Sequence, residues 1–258
     1  MRFCVLGSSS SGNSTLVANH DTVILMDAGL PLGYTTENIE KITGKVQLDG
    51  IFVSHEHSDH TRSLKPLARK FQCPVYLSTP VSWYIGRDDG LDIRELRDRW
   101  VVEVGSMKVT PFIVQHDAID PYGFVVEDEY GSLGIVTDLG CYDESVCDIL
   151  RNREGLIIES NYDLDMLVNG RYPNYLKKRI QNGKGHLSNQ QCRDLLKSVV
   201  GDRTREIVLA HLSEENNDPL LAMETSLECL ECLEAPPSLH VSYPRHPTTV
   251  MDLSRMIG

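Results

Sequence analysis

The sequence predicts an α/β fold in which helices cover β-sheets, and three observations lead there. Short β-patterned runs recur along the chain, separated by clusters of Gly, Pro, Asn and Asp. Stretches with the apolar period of amphipathic helices are interspersed among them. No internal repeat, low-complexity tract or Pro-rich linker interrupts the 258 residues, so a single domain over 1–258, of two similar halves, is expected.

In chain order, the β-patterned runs begin with "RFCVL", "STLVAN", "TVILMDA" and "GIFVS", rich in β-branched and aromatic residues. "PVYLS", "MKVTPFIV", "YGFVVED" and "SLGIVTD" follow, then "GLIIES" and "EIVLAH". Helical periodicity marks 37–42, 60–71, 143–150, 189–200 and 219–234. In the last of these, Cys229 and Cys232 form a CxxC that fits one helical turn among leucines. With no second Cys pair or nearby His, it reads as core rather than metal site. The final stretch, 244–258, reads as a loosely packed C-terminal tail.

Composition excludes several classes. No apolar run approaches the roughly 20 residues of a membrane span, and "MRFCVLGSSSSGN" has too short an apolar core for a signal peptide. Seven scattered cysteines read as reduced thiols of a cytoplasmic protein. A formal charge of −12 argues against coating nucleic acid by bulk attraction. Residues 165–205, however, hold nine Lys and Arg against three Asp, a local +6 that includes "YLKKRIQNGKGH".

One pattern recurs through the runs: strand after strand ends in a metal-capable residue. Asp27 follows "VILM", His55 and His57 follow "IFVS", and His116 follows "FIVQ". Asp138 follows "GIVT", Glu159 follows "LII", and His211 follows "IVLA". Side chains leaving neighbouring strands at one edge converge on a small volume, which is how rigid scaffolds build sites. Within "HEHSDH", His55 and His57 are two residues apart in extended chain and can share one metal. Asp59 and His60 follow as the chain turns into a helix and can face a second.

"HEHSDH", with Asp27 in "LMDAG", His116 in "VQHDA", Asp138 in "TDLG" and His211 in "LAHLS", resembles the metallo-β-lactamase superfamily. The resemblance runs from the first strand to about Tyr243 and implies a four-layer αββα sandwich with two metals at the open edge between the sheets. It implies that His55, His57 and His116 hold the first metal, that Asp59, His60 and His211 hold the second, and that Asp138 bridges. Asp27 would orient the ligands from behind. A second site without cysteine separates the chain from true β-lactamases, and His57 separates it from flavodiiron oxidoreductases, which carry Glu there. The imidazole-rich set suits Zn²⁺; the carboxylates leave Mn²⁺ open, and iron is a third candidate.

"GKGHLSNQQC" with His186 and "IIESNY" with Glu159 resemble the Gly-His-Ser/Thr and Glu pieces of ribonuclease Z and the β-CASP nucleases. "GSSSSGNST" resembles the Gly-Ser loop that follows the first strand in nucleases of this superfamily. There Ser9, Ser10, Ser11 and Asn13 would hold phosphate oxygens. Together with "ESNYD" and "HLSEENN", these pieces look most like the YycJ family of metallo-β-lactamase-fold proteins. That resemblance implies a metal-dependent exonuclease on DNA strand ends, acting from the 5′ end through a hydroxide shared by two metals, with RNA as an alternative substrate. Asp59 would accept the water's proton, and His186, oriented by Glu159, would serve the leaving oxygen. The intervals between motifs leave no room for a long tRNA-clamping arm or a full β-CASP domain. The grip on the strand is therefore expected from the basic 165–205 segment, with Lys177, Lys178, Arg179 and Lys184. Two rivals stand beside this reading: a thioester or lactone hydrolase with the same ligands, and a non-catalytic scaffold.

Overall fold

The computed structural model describes residues 1–86 and 90–254. The first half builds one sheet from β1 (Arg2–Gly7), β2 (Ser14–Ala18), β3 (Val23–Met26), β4 (Gly50–Phe52), β5 (Val75–Leu77) and β6 (Ile93–Glu95). Its connections carry α1 (Leu32–Thr43), α2 (Ser58–Thr61), α3 (Leu64–Phe71) and α4 (Thr79–Ile85). The second sheet contains β7 (Val102–Val104), β8 (Met107–Ile113), β9 (Tyr122–Asp128), β10 (Gly131–Val136), β11 (Gly155–Glu159), β12 (Glu206–Ala210) and β13 (Ser238–Val241). Between these strands lie α5 (Glu144–Leu150), α6 (Leu164–Asn169), α7 (Asn174–Gln181), α8 (Asn189–Val199) and α9 (Pro219–Leu230). A last strand, β14 (Met251–Asp252), returns to pair with β1 and completes seven strands in the first sheet.

The two sheets share one plan. In each, antiparallel strands on one side give way to parallel ones: β3–β4–β5–β6 in the first sheet and β10–β11–β12–β13 in the second. Parallel neighbours need crossover connections, which here contain helices. The central strands are buried on both faces, so alternate residues feed different cores. Phe3 and Val5 of β1 join Phe52, Phe124, Ile157 and Val208 between the sheets. Cys4 and Leu6, one residue out of phase, pack outward with Ile39, Leu64 and Val81 from α1, α3 and α4. The outer face of the second sheet is covered by α5, α8 and α9 through Leu150, Leu195 and Leu230. The order is helix, sheet, sheet, helix, the αββα sandwich expected.

Several elements differ from the sequence reading. The helix expected over 60–71 is broken at Ser63, whose φ of −107° ends α2 and starts α3. β6 and β7 span three residues each, too short to show a period. α7 fully buries no residue, and its apolar face is only Leu176 and Ile180, one turn apart, too short a pattern to mark a helix. Cys229 is buried in α9 as expected, whereas Cys232 lies exposed past the helix end. The loosely packed tail is corrected for 244–254. Met251 pairs with Phe3, Leu253 is fully buried, and its N–H donates to the Met1 carbonyl at 2.8 Å. Residues 255–258 of that expected tail lie outside the described residues.

Candidate metal centre

The metal-capable side chains gather where strands of both sheets run out at their C-terminal ends, the usual place for sites in parallel sheets. Asp27 directly follows β3, His55 lies three residues past β4, and Asp138 lies two past β10. Glu159 is the last residue of β11, and His211 directly follows β12. Asp27 and His211 both have left-handed backbone, at φ 61° and 56°. Such a conformation is unfavourable for a residue with a Cβ and persists where surrounding bonds enforce it. The Asp27 N–H donates to the Phe52 carbonyl, and the His211 N–H donates to Ser8 Oγ at 2.9 Å. Gly29 makes the approach of the next loop possible, because a Cβ there would overlap the Asp59 carbonyl.

Three sets of side chains place ligand atoms within 4.8 Å of one another: His55, His57 and His116; Asp59, His60 and His211; and His55, His60 and Asp138. Asp138 lies among all of them. Its Oδ2 is 3.1 Å from His60 Nε2, and its Oδ1 is 3.6 Å from His116 Nε2. A fourth set, Asp138, Glu159, His186 and His211, meets the same criterion. Both oxygens of Glu159 are already engaged, however. Oε1 lies 2.8 Å from Nδ1 of both His186 and His211, and Oε2 accepts from the N–H groups of Leu139 and Leu187. Glu159 therefore orients two rings rather than facing the centre itself.

Each histidine of the cluster save His57 is held through Nδ1. His60 Nδ1 lies 2.8 Å from Asp27 Oδ2, and His116 Nδ1 lies 3.1 Å from the Gly185 carbonyl. His55 Nδ1 meets Ser54 Oγ at 3.0 Å, and Ser54 also donates to Asp27. The opposite nitrogens point inward, where His116 Nε2 and His211 Nε2 are buried with no hydrogen-bond partner and Asp138 Oδ2, 3.1 Å from His60 Nε2, makes no aligned hydrogen bond. Buried polar atoms are rarely left so. Imidazole nitrogens and a carboxylate oxygen converging without partners fit a divalent cation.

Electrostatics point the same way. Burial, followed by charge on His60, holds His55 well below the ordinary histidine range, and burial lowers His116 too. Burial also disfavours charge on His60 and His211. There the carboxylates outweigh it: Asp27 and Asp138 hold His60 well above its usual value, and Asp138, Asp59 and Glu159 raise His211 to about 10. The carboxylates respond in kind. Burial raises Asp138, Asp59 and Glu159, yet the facing histidines bring all three below the ordinary range. The centre demands positive charge, which a cation can supply in place of imidazole protons.

A cavity of about 260 Å³ opens over the cluster, lined by His57, Asp59, His116, Asp138, His186 and His211 on one side. Leu176, Arg179 and Ile180 of α7 form another wall, and Ser10 reaches it from the β1–β2 loop. The other expected substrate contacts are distributed differently. Ser9 is fully buried, and its Oγ accepts from the Ser11 N–H, so it shapes the loop instead. Asn13 is buried, with its amide nitrogen 3.0 Å from His60 Nε2 and 3.3 Å from Asp59 Oδ2. Ser11 is exposed and donates to Glu214. Lys177 bonds the carbonyls of Val168 and Gly170 at 2.7 Å, tying α6 to α7, while Lys178 and Lys184 lie exposed. Arg179 pairs with Asp117 at the cavity wall.

Four participants were not singled out in the sequence. Ser54 bridges Asp27, His55 and His60; Ser8 holds His211 and Asn13; the Gly185 carbonyl orients His116. Glu56, the unassigned letter of "HEHSDH", accepts from the Ile119 N–H and pins the loop after His116. Ser54 had one signal available, its position directly before the first ligand.

An αββα sandwich with a histidine–aspartate cluster at the open edge of its sheets defines a metal-dependent hydrolase of the metallo-β-lactamase fold. The chain belongs to the metallo-β-lactamase superfamily, whose family model matches residues 9–211. It is 34% identical to the exodeoxyribonuclease WalJ of Streptococcus pneumoniae strain D39, covering 89% of this chain and 88% of that protein. It is 35% identical to the exodeoxyribonuclease YycJ of Bacillus anthracis, covering 90% and 89%. Among solved structures, the metallo-β-lactamase-fold protein YhfI of Bacillus subtilis shares the fold at TM-score 0.73 and 16% identity, covering 96% of this chain and 98% of that one. The short form of human tRNase Z does so at TM-score 0.65 and 15% identity, covering 98% and 100%. Among the described residues, no helix is long and apolar enough to cross a membrane.

Proposed function

We propose that the protein is a DNA exonuclease that removes nucleotides from the 5′ end, acting as one domain over 1–258. The observation that carries this reading is identity of 34–35% with named exodeoxyribonucleases over about nine-tenths of the chain. In this reading His55, His57 and His116 hold one divalent ion, Asp59, His60 and His211 hold a second, and Asp138 serves both. The imidazole-rich donor set favours Zn²⁺ or Mn²⁺ over iron. Its seven unpaired cysteines favour a reducing, cytoplasmic setting.

When bound, such a pair of ions supplies Lewis acidity and lowers the pKa of a shared water. The chain's own groups do the remaining work. Asp59, a fifth exposed at the cavity floor, takes the proton of the attacking water. His186 is held by Glu159 through Nδ1, which leaves Nε2 to give a proton to the leaving sugar oxygen. Ser10 and Arg179 line the cavity where non-bridging oxygens would rest, and exposed Lys178 and Lys184 stand next in line for the strand.

The test is digestion of end-labelled single- and double-stranded DNA, and of RNA, with Mn²⁺ or Zn²⁺ supplied. Mononucleotides released first from the 5′ end of DNA are expected. Release from the 3′ end, or turnover of thioesters and lactones with intact oligonucleotides, would replace the reading.

A further inference from the structure

A second cavity, about 350 Å³, lies in the groove between β8 and α5. We infer that it seats the nucleobase of the unit next to the scissile phosphate; this rests on the nuclease reading above. Past the end of β8 the chain keeps alternating: Ile113, Gln115 and Asp117 are exposed, while Phe112, Val114 and His116 are buried. Ile113 and Gln115 line the groove, and Asp117 lines the active cavity. Two residues of extended chain span roughly 6.6 Å, a step comparable to the spacing of phosphates along a strand. A second segment also joins the cavities, with Asp138 lining the active one and Cys141 the groove. The Gly140 N–H donates to the Gln115 carbonyl at 2.6 Å, and Cys141, which lines the groove, bridges to Gln115. A strand leaving the active cavity past Asp117 meets this groove next.

The lining suits a flat heteroaromatic ring. Phe112, Ile113, Tyr142 and Ile149 supply an apolar floor and sides. Arg99 spans the mouth, its Nη2 donating to Ser145 Oγ at 2.6 Å. Arg99 has left-handed backbone, φ 59°, and its N–H donates to the Pro111 carbonyl. The neighbouring Asp98 Oδ1 accepts from the Ile113 N–H at 3.1 Å. A side chain is thus kept across the groove by a turn that a glycine would adopt more readily. A base slipping beneath the guanidinium gains stacking and a hydrogen-bonding edge, which serves every sequence because each base has a π-face.

The experiment compares full-length wild type with Ser145→Phe, which fills the groove, and Arg99→Gly, which removes the guanidinium and relaxes the turn. Each is assayed with Mn²⁺ on a DNA oligonucleotide, on the same oligonucleotide with single abasic units near the 5′ end, and on bis(p-nitrophenyl) phosphate. Both variants should lose about tenfold in kcat/KM on the oligonucleotide relative to the small diester, the scale of one lost stack. One abasic position should impose a similar loss on wild type and none on Ser145→Phe. Variants with the wild-type ratio, or an abasic penalty equal in all three proteins, overturn the groove assignment alone. A wild type that hydrolyses the small diester but no oligonucleotide overturns the nuclease reading and this one with it.

Discussion

Replacing Glu159 with glutamine preserves the shape of a fully buried side chain and removes its charge. Four donors converge on that carboxylate: Nδ1 of His186 and His211 on one oxygen, and the N–H groups of Leu139 and Leu187 on the other. An amide has only one accepting oxygen, so turned one way its NH₂ confronts two backbone donors, and turned the other it faces the two rings, which must give up their Nδ1 protons to accept from it. Leaving two buried donors unpaired costs about 2–6 kcal/mol, which lowers Tm by roughly 4–24 °C in a chain of this size. His211 also loses the group that fixes its ring, and divalent-metal affinity should fall by about 10- to 100-fold. Thermal melts with and without metal, and metal titration followed by mass spectrometry, measure the two effects separately. A Tm within 2 °C of wild type together with unaltered metal affinity would refute the role given to Glu159 as common support of both histidines.

Three further outcomes are expected. His186→Ala should keep its bound metal and slow phosphodiester cleavage by about 100-fold, checked by metal content and single-turnover kinetics; a wild-type rate removes His186 from the chemistry. Lys178→Ala with Arg179→Ala should flatten the log–log salt dependence of DNA binding by about 1.4–1.8. Lys177→Ala should instead lower Tm, since its ammonium bonds two carbonyls; filter binding and melting curves distinguish them. Burial raises the Glu154 carboxyl, but bonds from Ser132 and Arg203 outweigh it and hold the group below its usual value. A depressed folded pKa stabilises above the unfolded value, about 4.3, and the gain vanishes as pH falls through the folded one. Glu154→Gln should therefore melt lower at pH 7, with the gap closing below about pH 4.

Much of the centre was legible because most of its groups sit at or just past the end of an apolar strand, where two local signals coincide. Asp27, His55, His116, Asp138, Glu159 and His211 all follow that rule; the structure gathers the last five around one centre and sets Asp27 behind His60. The substrate side was less legible. Ser9 and Asn13 looked like phosphate contacts from composition, yet small polar residues in a tight loop as readily bond the loop itself. Lys177 likewise belonged to a basic run, and only the placement of α6 against α7 shows that its charge is committed. α7 shows only Leu176 and Ile180 one turn apart, too short a period to announce the helix that walls the cavity. β14 is two residues long and depends on a partner 248 positions away, Phe3 with Met251, which no local pattern encodes.

Inductively coupled plasma mass spectrometry on the purified, folded protein, alongside His60→Ala, tests the cation cage most directly. Roughly two divalent ions per chain are predicted for the wild type and about one or fewer for the variant. A folded wild type that retains no divalent ion after equilibration with micromolar Zn²⁺ or Mn²⁺ would contradict the assignment of these histidines and aspartates to metal.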